Sequence, residues 1–202
     1  MHNIKKGFTL IELLAAVLVL GVLSAIAMPQ YLKSVTRARA MEGMVMLPAL
    51  YDSVLRWQAE NPDKDWIESG SFNLLDVGSK GTISGAGTAS KLCTPNFVYT
   101  FKTNETGNIF FATFRHKGKY RGNFFAYSAQ YKDGGEVVPG DAQVYCAPVH
   151  QNAHNPEEVI QNICEMMGYK VDESGSIIGI PLAILNEMLD HHQHVDEAFY
   201  NC

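Results

Sequence analysis

Lys5-Lys6-Gly7-Phe8-Thr9-Leu10-Ile11-Glu12-Leu13-Leu14 opens the stretch that decides the architecture. Two lysines and a glycine precede an apolar run that continues to Met28, and between Phe8 and Leu32 the only ionisable side chains are Glu12 and Tyr31. Residues 13–28 are uncharged, about 24 Å as a helix; counted from residue 8 the run is about 32 Å, enough for a bilayer core. A basic flank before such a run is an export signal oriented with the lysines in the cytoplasm. Glu12 needs an explanation, because a carboxylate inside the segment costs a few kcal/mol near the bilayer centre. If the chain is cut after Gly7, the new amine on Phe8 lies four residues before Glu12, one helical turn away on the same face. Between staggered parallel helices, the carboxylate of one would neutralise the amine of the next, and a buried, partnered pair of this kind fixes register. The competing reading is a secretory signal cut after Ala25-Ile26-Ala27, which would leave a soluble domain starting near Met28 and give Glu12 no role.

Working outward, 202 residues fit one domain with an appendage. Hydrophobic residues at 47% and charged ones at 18% exclude a polytopic membrane protein and a disordered chain. The net charge of -5, from 16 basic and 21 acidic residues, argues against wholesale nucleic-acid binding. After Pro29 the pattern turns amphipathic: Leu32, Val35, Met41, Val45, Leu47, Leu50, Tyr51, Val54 and Leu55 recur at helical steps, with Lys33, Arg37, Arg39, Glu42, Asp52 and Arg56 opposite. One helix is expected over residues 8–60, stopped by Asn61-Pro62-Asp63, with a kink or loosening at Pro48.

Residues 62–92 are rich in Gly, Ser, Asp and Lys and read as a loop with one short turn or strand. Aromatic, partly alternating runs at 96–102, 108–116 and 123–131, and a fourth at 142–146, are separated by Gly-containing turns and predict an antiparallel meander. Packed on the second half of the long helix, this is an α+β head. Asn104-Glu105-Thr106 is formally a glycosylation sequon, but it sits where a turn is expected in any case. A later helix is expected from Asn155-Pro156 to Gly168, containing Cys164. The apolar positions of 180–189 read as packing onto the head, with a contact between subunits as the sharper alternative.

The residues Lys5-Lys6-Gly7 followed by Phe8-Thr9-Leu10-Ile11-Glu12-Leu13-Leu14, with Gly21 and Pro29 beyond, resemble the start of the type IV prepilin family over roughly the first 60 residues. Elsewhere the likeness is one of layout. The resemblance implies a leader at 1–7, cleavage between Gly7 and Phe8 by a membrane prepilin peptidase, and N-methylation of Phe8 by the same enzyme. It implies subunit assembly through Phe8 and Glu12, a transmembrane and filament-core segment at 8–29, helix softening around Gly21 and Pro29, and a periplasmic head at 61–202. The Cys146 to Cys164 separation resembles the terminal disulfide loop of pilins; Cys93 with Cys202 then stands as the second pair, while four cysteines alone permit three connectivities. The implied partners are copies of itself, other pilins, the peptidase/methyltransferase, and the assembly platform in the inner membrane. There the subunit would reside, N-terminus cytoplasmic, before joining a surface pilus. A type II secretion pseudopilin, with a periplasmic pseudopilus, shares this N-terminus and is the nearest alternative.

Other chemistry is sparse. Asp190-His191-His192-Gln193-His194-Val195-Asp196, with His150 and His154, is rich in ligand types but lacks an established zinc spacing, so no metal is expected; a membrane-anchored or secreted metal-binding enzyme is the remote alternative. The glycines of 77–90 do not form a phosphate-binding motif, no nucleophile elbow or acid–base pair is present, and no cofactor or enzymatic activity is expected. Lys117, Lys119 and Arg121 beside Tyr120 form a basic hairpin tip, a candidate contact for DNA phosphate or another anionic surface.

Overall fold

The computed structural model describes residues 7–64, 71–77, 81–104, 107–115, 124–128, 130–133, 136–139, 143–147 and 163–170. In chain order these contain α1 (Leu10–Glu60), β1 (Thr82–Ser84), β2 (Lys91–Cys93), β3 (Phe97–Asn104), β4 (Gly107–Phe114), β5 (Phe124–Tyr127), β6 (Gln130–Asp133), β7 (Glu136–Pro139), β8 (Val144–Ala147) and α2 (Ile163–Met166). Six strands form one antiparallel sheet in the order β1-β2-β3-β4-β5-β8, and β6 pairs with β7 separately. Residues 1–38 and 39–202 are two compact units.

In the second unit, α1 lies on one face of the six-stranded sheet, which makes the head an α+β structure of pilin type. Strand register explains the core. Phe97, Tyr99 and Phe101 of β3 stand opposite Phe114, Ala112 and Phe110 of β4, and Phe125 and Tyr127 of β5 stand opposite Ala112 and Phe110. Side chains alternate across a strand, so these residues share the face that meets α1. From α1 come Ala40, Gly43, Leu47, Leu50, Tyr51 and Val54. Tyr51 meets Phe110 and Tyr127 edge-on at 6.4 and 5.6 Å between centroids, and Phe72 from the loop after α1 meets Phe101 at 5.2 Å. Each such ring removed from water contributes about 1.5–3 kcal/mol.

The other face of the sheet is buried too: Val98, Ile109, Phe111, Thr113, Ala126 and Tyr145 are each under 5% exposed. Strands covered on both sides read as nearly continuous apolar runs, which is why the alternation in β3 and β4 is only partial.

Several expectations are corrected. Met41, Val45 and Leu55 face solvent, Val45 at 65% exposure, and Leu32 is exposed as well. The buried stripe includes small residues, Ala40, Gly43 and Ser53, beside Leu47, Leu50, Tyr51 and Val54, and at Gly43 the helix approaches the aromatic rings of the sheet closely. α1 continues without interruption through Pro48. The run at 123–131 divides into β5 and β6, which belong to different sheets, and where a loop with one short turn or strand is expected at residues 62–92, two short paired strands, β1 and β2, occur.

Candidate functional site

The first helical turn is closed by side chains of its own chain. The Thr9 backbone N–H donates to Glu12 Oε2 at 2.9 Å, the Thr9 hydroxyl donates to the same oxygen at 2.6 Å, and the Glu12 N–H donates back to Thr9 Oγ1 at 3.3 Å. This is a capping box: Thr9 is the N-cap, Glu12 the third helical residue, and otherwise orphaned N–H groups are satisfied reciprocally. The sequence signal for it is T-x-x-E before an apolar run, here Thr9 to Glu12, a pattern that a reading of Glu12 as an unpaired charge does not use. Phe8, 84% exposed, sits just outside the box.

Beyond this turn the helix presents apolar side chains on every side. Leu10, Ile11, Leu13, Leu18, Leu20 and Ile26 are all exposed, and an 18-residue window reaches a mean hydropathy of 2.6 with none of it buried. The helix is long and apolar enough to cross a membrane. It runs unbroken past Gly21 and Pro29. A Cβ added at Gly21 would meet nothing within 4 Å, so packing within the chain does not demand the glycine there. After Pro29 the Ser34 and Thr36 hydroxyls donate to the carbonyls of Gln30 and Leu32, at 3.1 and 2.9 Å, which keeps these polar groups within the helix.

In the head, α1 is fastened at both ends of its buried stripe. Glu42 accepts from the Thr94 hydroxyl and the Asn96 side-chain amide, each at 2.5 Å, and so holds the turn between β2 and β3. At the other end Asp76 accepts from Arg56 Nε at 2.9 Å and Nη2 at 2.7 Å, and also from the Ser53 hydroxyl, while its own N–H donates to Ser53 Oγ. The Arg56 guanidinium, and then the Ser53 hydroxyl, hold the Asp76 carboxyl well below the usual carboxylate range. Because the folded pKa is depressed, this stabilisation is complete above the unfolded carboxylate value near about 3.9 and is lost as pH falls towards the lower folded value. We expect Asp76→Asn to remove part of the acid-side loss of stability below about pH 4, measured by urea unfolding at a series of pH values, while lowering stability at pH 7.

The tail is joined to the sheet by a disulfide between Cys146 of β8 and Cys164 of α2, with 5.6 Å between Cα atoms. By restricting the unfolded chain such a bridge contributes about 2–4 kcal/mol. Gly168, at φ 95°, ends α2 with its N–H donating to Glu165 O, and the Tyr169 hydroxyl donates to Val144 O of β8 at 2.6 Å. Burial pushes the Tyr169 phenol up to about 12, so this donor persists across the physiological range. Cys93 is buried and disulfide-bonded. Cys202, Lys117, Lys119, Arg121, His150, His154, the histidine cluster and the apolar positions of 180–189 lie outside the described residues. Among the described residues no three His, Cys, Asp or Glu side chains are placed to hold a metal.

Thus an apolar, solvent-facing helix begins with a capped turn carrying the one acid of the segment, and its other half is locked into a disulfide-bearing head. Residues 2–28 match the family described as the prokaryotic N-terminal methylation motif. A type IV major fimbrial protein FimA of Dichelobacter nodosus is 33% identical over 117 residues, covering 54% of this chain and 71% of that protein. Another FimA of the same organism is 35% identical over 97 residues, covering 45% and 60%. A fimbrial protein of Moraxella nonliquefaciens is 40% identical over 52 residues, covering 26% and 34%. The chain belongs to the type IV fimbrial protein, or pilin, family. It spans 51% and 60% of the length of two of the relatives it matches. No solved structure matches it.

Proposed function

We propose that this chain is a structural subunit of a type IV pilus, made as a precursor, cut between Gly7 and Phe8 by a prepilin peptidase, and methylated on the Phe8 amine. The helix segment 8–29 holds it in the bacterial inner membrane with the N-terminus cytoplasmic, and then becomes part of the filament core alongside copies of itself and other pilins. The assembly platform in that membrane is the site of transfer. The observation that carries this reading is the methylation motif at 2–28 on a helix whose apolar side chains are exposed on all sides within its own chain. A surface so apolar needs lipid or other helices around it. Glu12 has a partner at home, Thr9, and on assembly it neutralises the amine of a neighbour's Phe8. Softening at Gly21 and Pro29 is the proposed accommodation to filament packing, with Gly21 free of packing demands within the chain.

Intact mass and N-terminal sequencing of membrane-extracted protein, made with and without the peptidase, test this. The expected product begins at Phe8 with one added methyl group and forms only with the peptidase. An unmodified N-terminus near Met28 would instead mean a secreted domain.

A further inference from the structure

The six-stranded sheet has two buried faces, and α1 covers one of them. Cys93 of β2 stands opposite Val98 of β3, so its side chain shares the face of Val98, Ile109, Phe111, Ala126 and Tyr145. These side chains are buried, yet none of them belongs to the core gathered on α1. Ile163, Cys164 and Tyr169, by contrast, pack on the α1 side. Cys93 is disulfide-bonded, Cys146 and Cys164 are bonded to each other, and the sequence has one further cysteine, Cys202.

We propose that residues 171–202 cross the face of the sheet opposite α1 and are fastened there by a disulfide between Cys202 and Cys93. The inference concerns the head and goes beyond the filament reading, standing whether or not the chain is assembled. The two anchors set the route. Tyr169 is held at the β8 edge, its hydroxyl donating to Val144 O, and β2 lies four strands from β8 in the sheet order. That is about 19 Å at about 4.8 Å per strand. Residues 171–202 reach about 100 Å extended, or about 48 Å as a helix, so they can round the β8 edge, change faces and still cover the sheet on the way to Cys93. Ile180, Leu182, Ile184, Leu185, Met188 and Leu189 give the segment the apolar surface that a face of aliphatic and aromatic side chains requires. A segment wrapped past β8 also shields the open edge of the sheet from pairing with another chain. Closure joins the two sulfurs with loss of two protons and two electrons. The electrons pass by thiol–disulfide exchange to the disulfide of an exported thiol oxidoreductase, which leaves as its dithiol.

The test uses the oxidised full chain, extracted in detergent with free thiols alkylated. Lys170 is exposed and residues 171–202 contain no Lys or Arg, so trypsin releases them as one peptide. Mass mapping without reduction should find that peptide linked to residues 92–102, which carry Cys93. To read the face itself, the photo-cross-linking residue p-benzoylphenylalanine replaces Tyr145 on β8 or, in a second variant, half-buried Thr100 on β3. After irradiation and reduction, each should be joined to residues 171–202 of its own chain at least about tenfold more than a probe at exposed Val45. Cys93 found alkylated, or linked to a cysteine other than Cys202, overturns the closure. Cross-links no stronger than at Val45, or directed to residues 130–139, overturn the crossing and in the latter case give the face to β6 and β7. A disulfide or photo-cross-link that joins two copies assigns the face to a neighbour's segment and also overturns the proposal.

Discussion

Gly43→Val should destabilise the head by about 3 kcal/mol or more, the largest stability effect we expect from one substitution on α1. A Cβ built at Gly43 falls 2.8 Å from both Cε1 and Cζ of Phe97 and 3.1 Å from Cδ2 of Phe125. Neither ring can step aside easily. Both are fully buried, and Phe97 is packed against Tyr99, Phe114 and Phe125 with centroids 5.8, 5.2 and 6.1 Å away. Alanine is the informative intermediate, because it gains about 1 kcal/mol of helix propensity over glycine and loses about 1–3 kcal/mol to overpacking. We therefore expect Gly43→Ala to cost about 1 kcal/mol and valine to add the clash of two more methyl groups and a stiffer side chain. Urea unfolding of the mature chain in detergent, followed by the fluorescence of half-buried Trp57, measures this. Val45→Ala, on the exposed side, should fall within about 0.5 kcal/mol of wild type. Equal stability of the Gly43→Val and wild-type proteins would mean that α1 does not approach β3 at this point.

The same contact explains what could be read in the sequence. Helical periodicity identified α1 and four of its core residues, Leu47, Leu50, Tyr51 and Val54. It also ranked Met41, Val45 and Leu55 as core because a hydrophobicity pattern rewards size, whereas a helix lying close on aromatic rings needs Ala40, Gly43 and Ser53 beneath it. The strands β3 and β4 were legible from aromatic runs. β1 and β2 were not, because three residues are too few to show alternation and their pairing depends on distant partners. The division of 123–131 into two strands is a tertiary choice: Tyr127 is the last β5 residue paired with β4, and β6 takes β7 as its partner. At the candidate site the charge problem of Glu12 was legible from its apolar setting. Its pairing with Thr9 needed only the capping-box pattern, yet the pattern alone does not tell whether the acid serves its own helix or a neighbour.

Two substitutions separate those roles. Glu12→Gln keeps a side-chain acceptor for Thr9, and glutamine serves in a capping box, so the first turn should survive while the charge is lost. Thr9→Ala does the reverse: it removes the cap hydroxyl at a cost of about 1 kcal/mol to the helix start and leaves the carboxylate. If Glu12 neutralises the amine of a neighbour's Phe8, removing one member of a desolvated pair costs about 3–5 kcal/mol, a factor of at least about a hundred in an equilibrium. We expect Glu12→Gln to reduce filament sheared from the cell surface by at least about a hundredfold with membrane-bound subunit unchanged, and Thr9→Ala to reduce it about tenfold or less. Equal losses in the two variants would assign Glu12 to the cap alone. If that ordering is found, the hydroxyl and N–H of Thr9 would satisfy the acid while the subunit waits in lipid, and assembly would exchange or supplement those neutral donors with a cation. On this reading the neighbour's charge would add a term that exists only in the filament, and that difference would favour addition of the subunit over its remaining in the membrane.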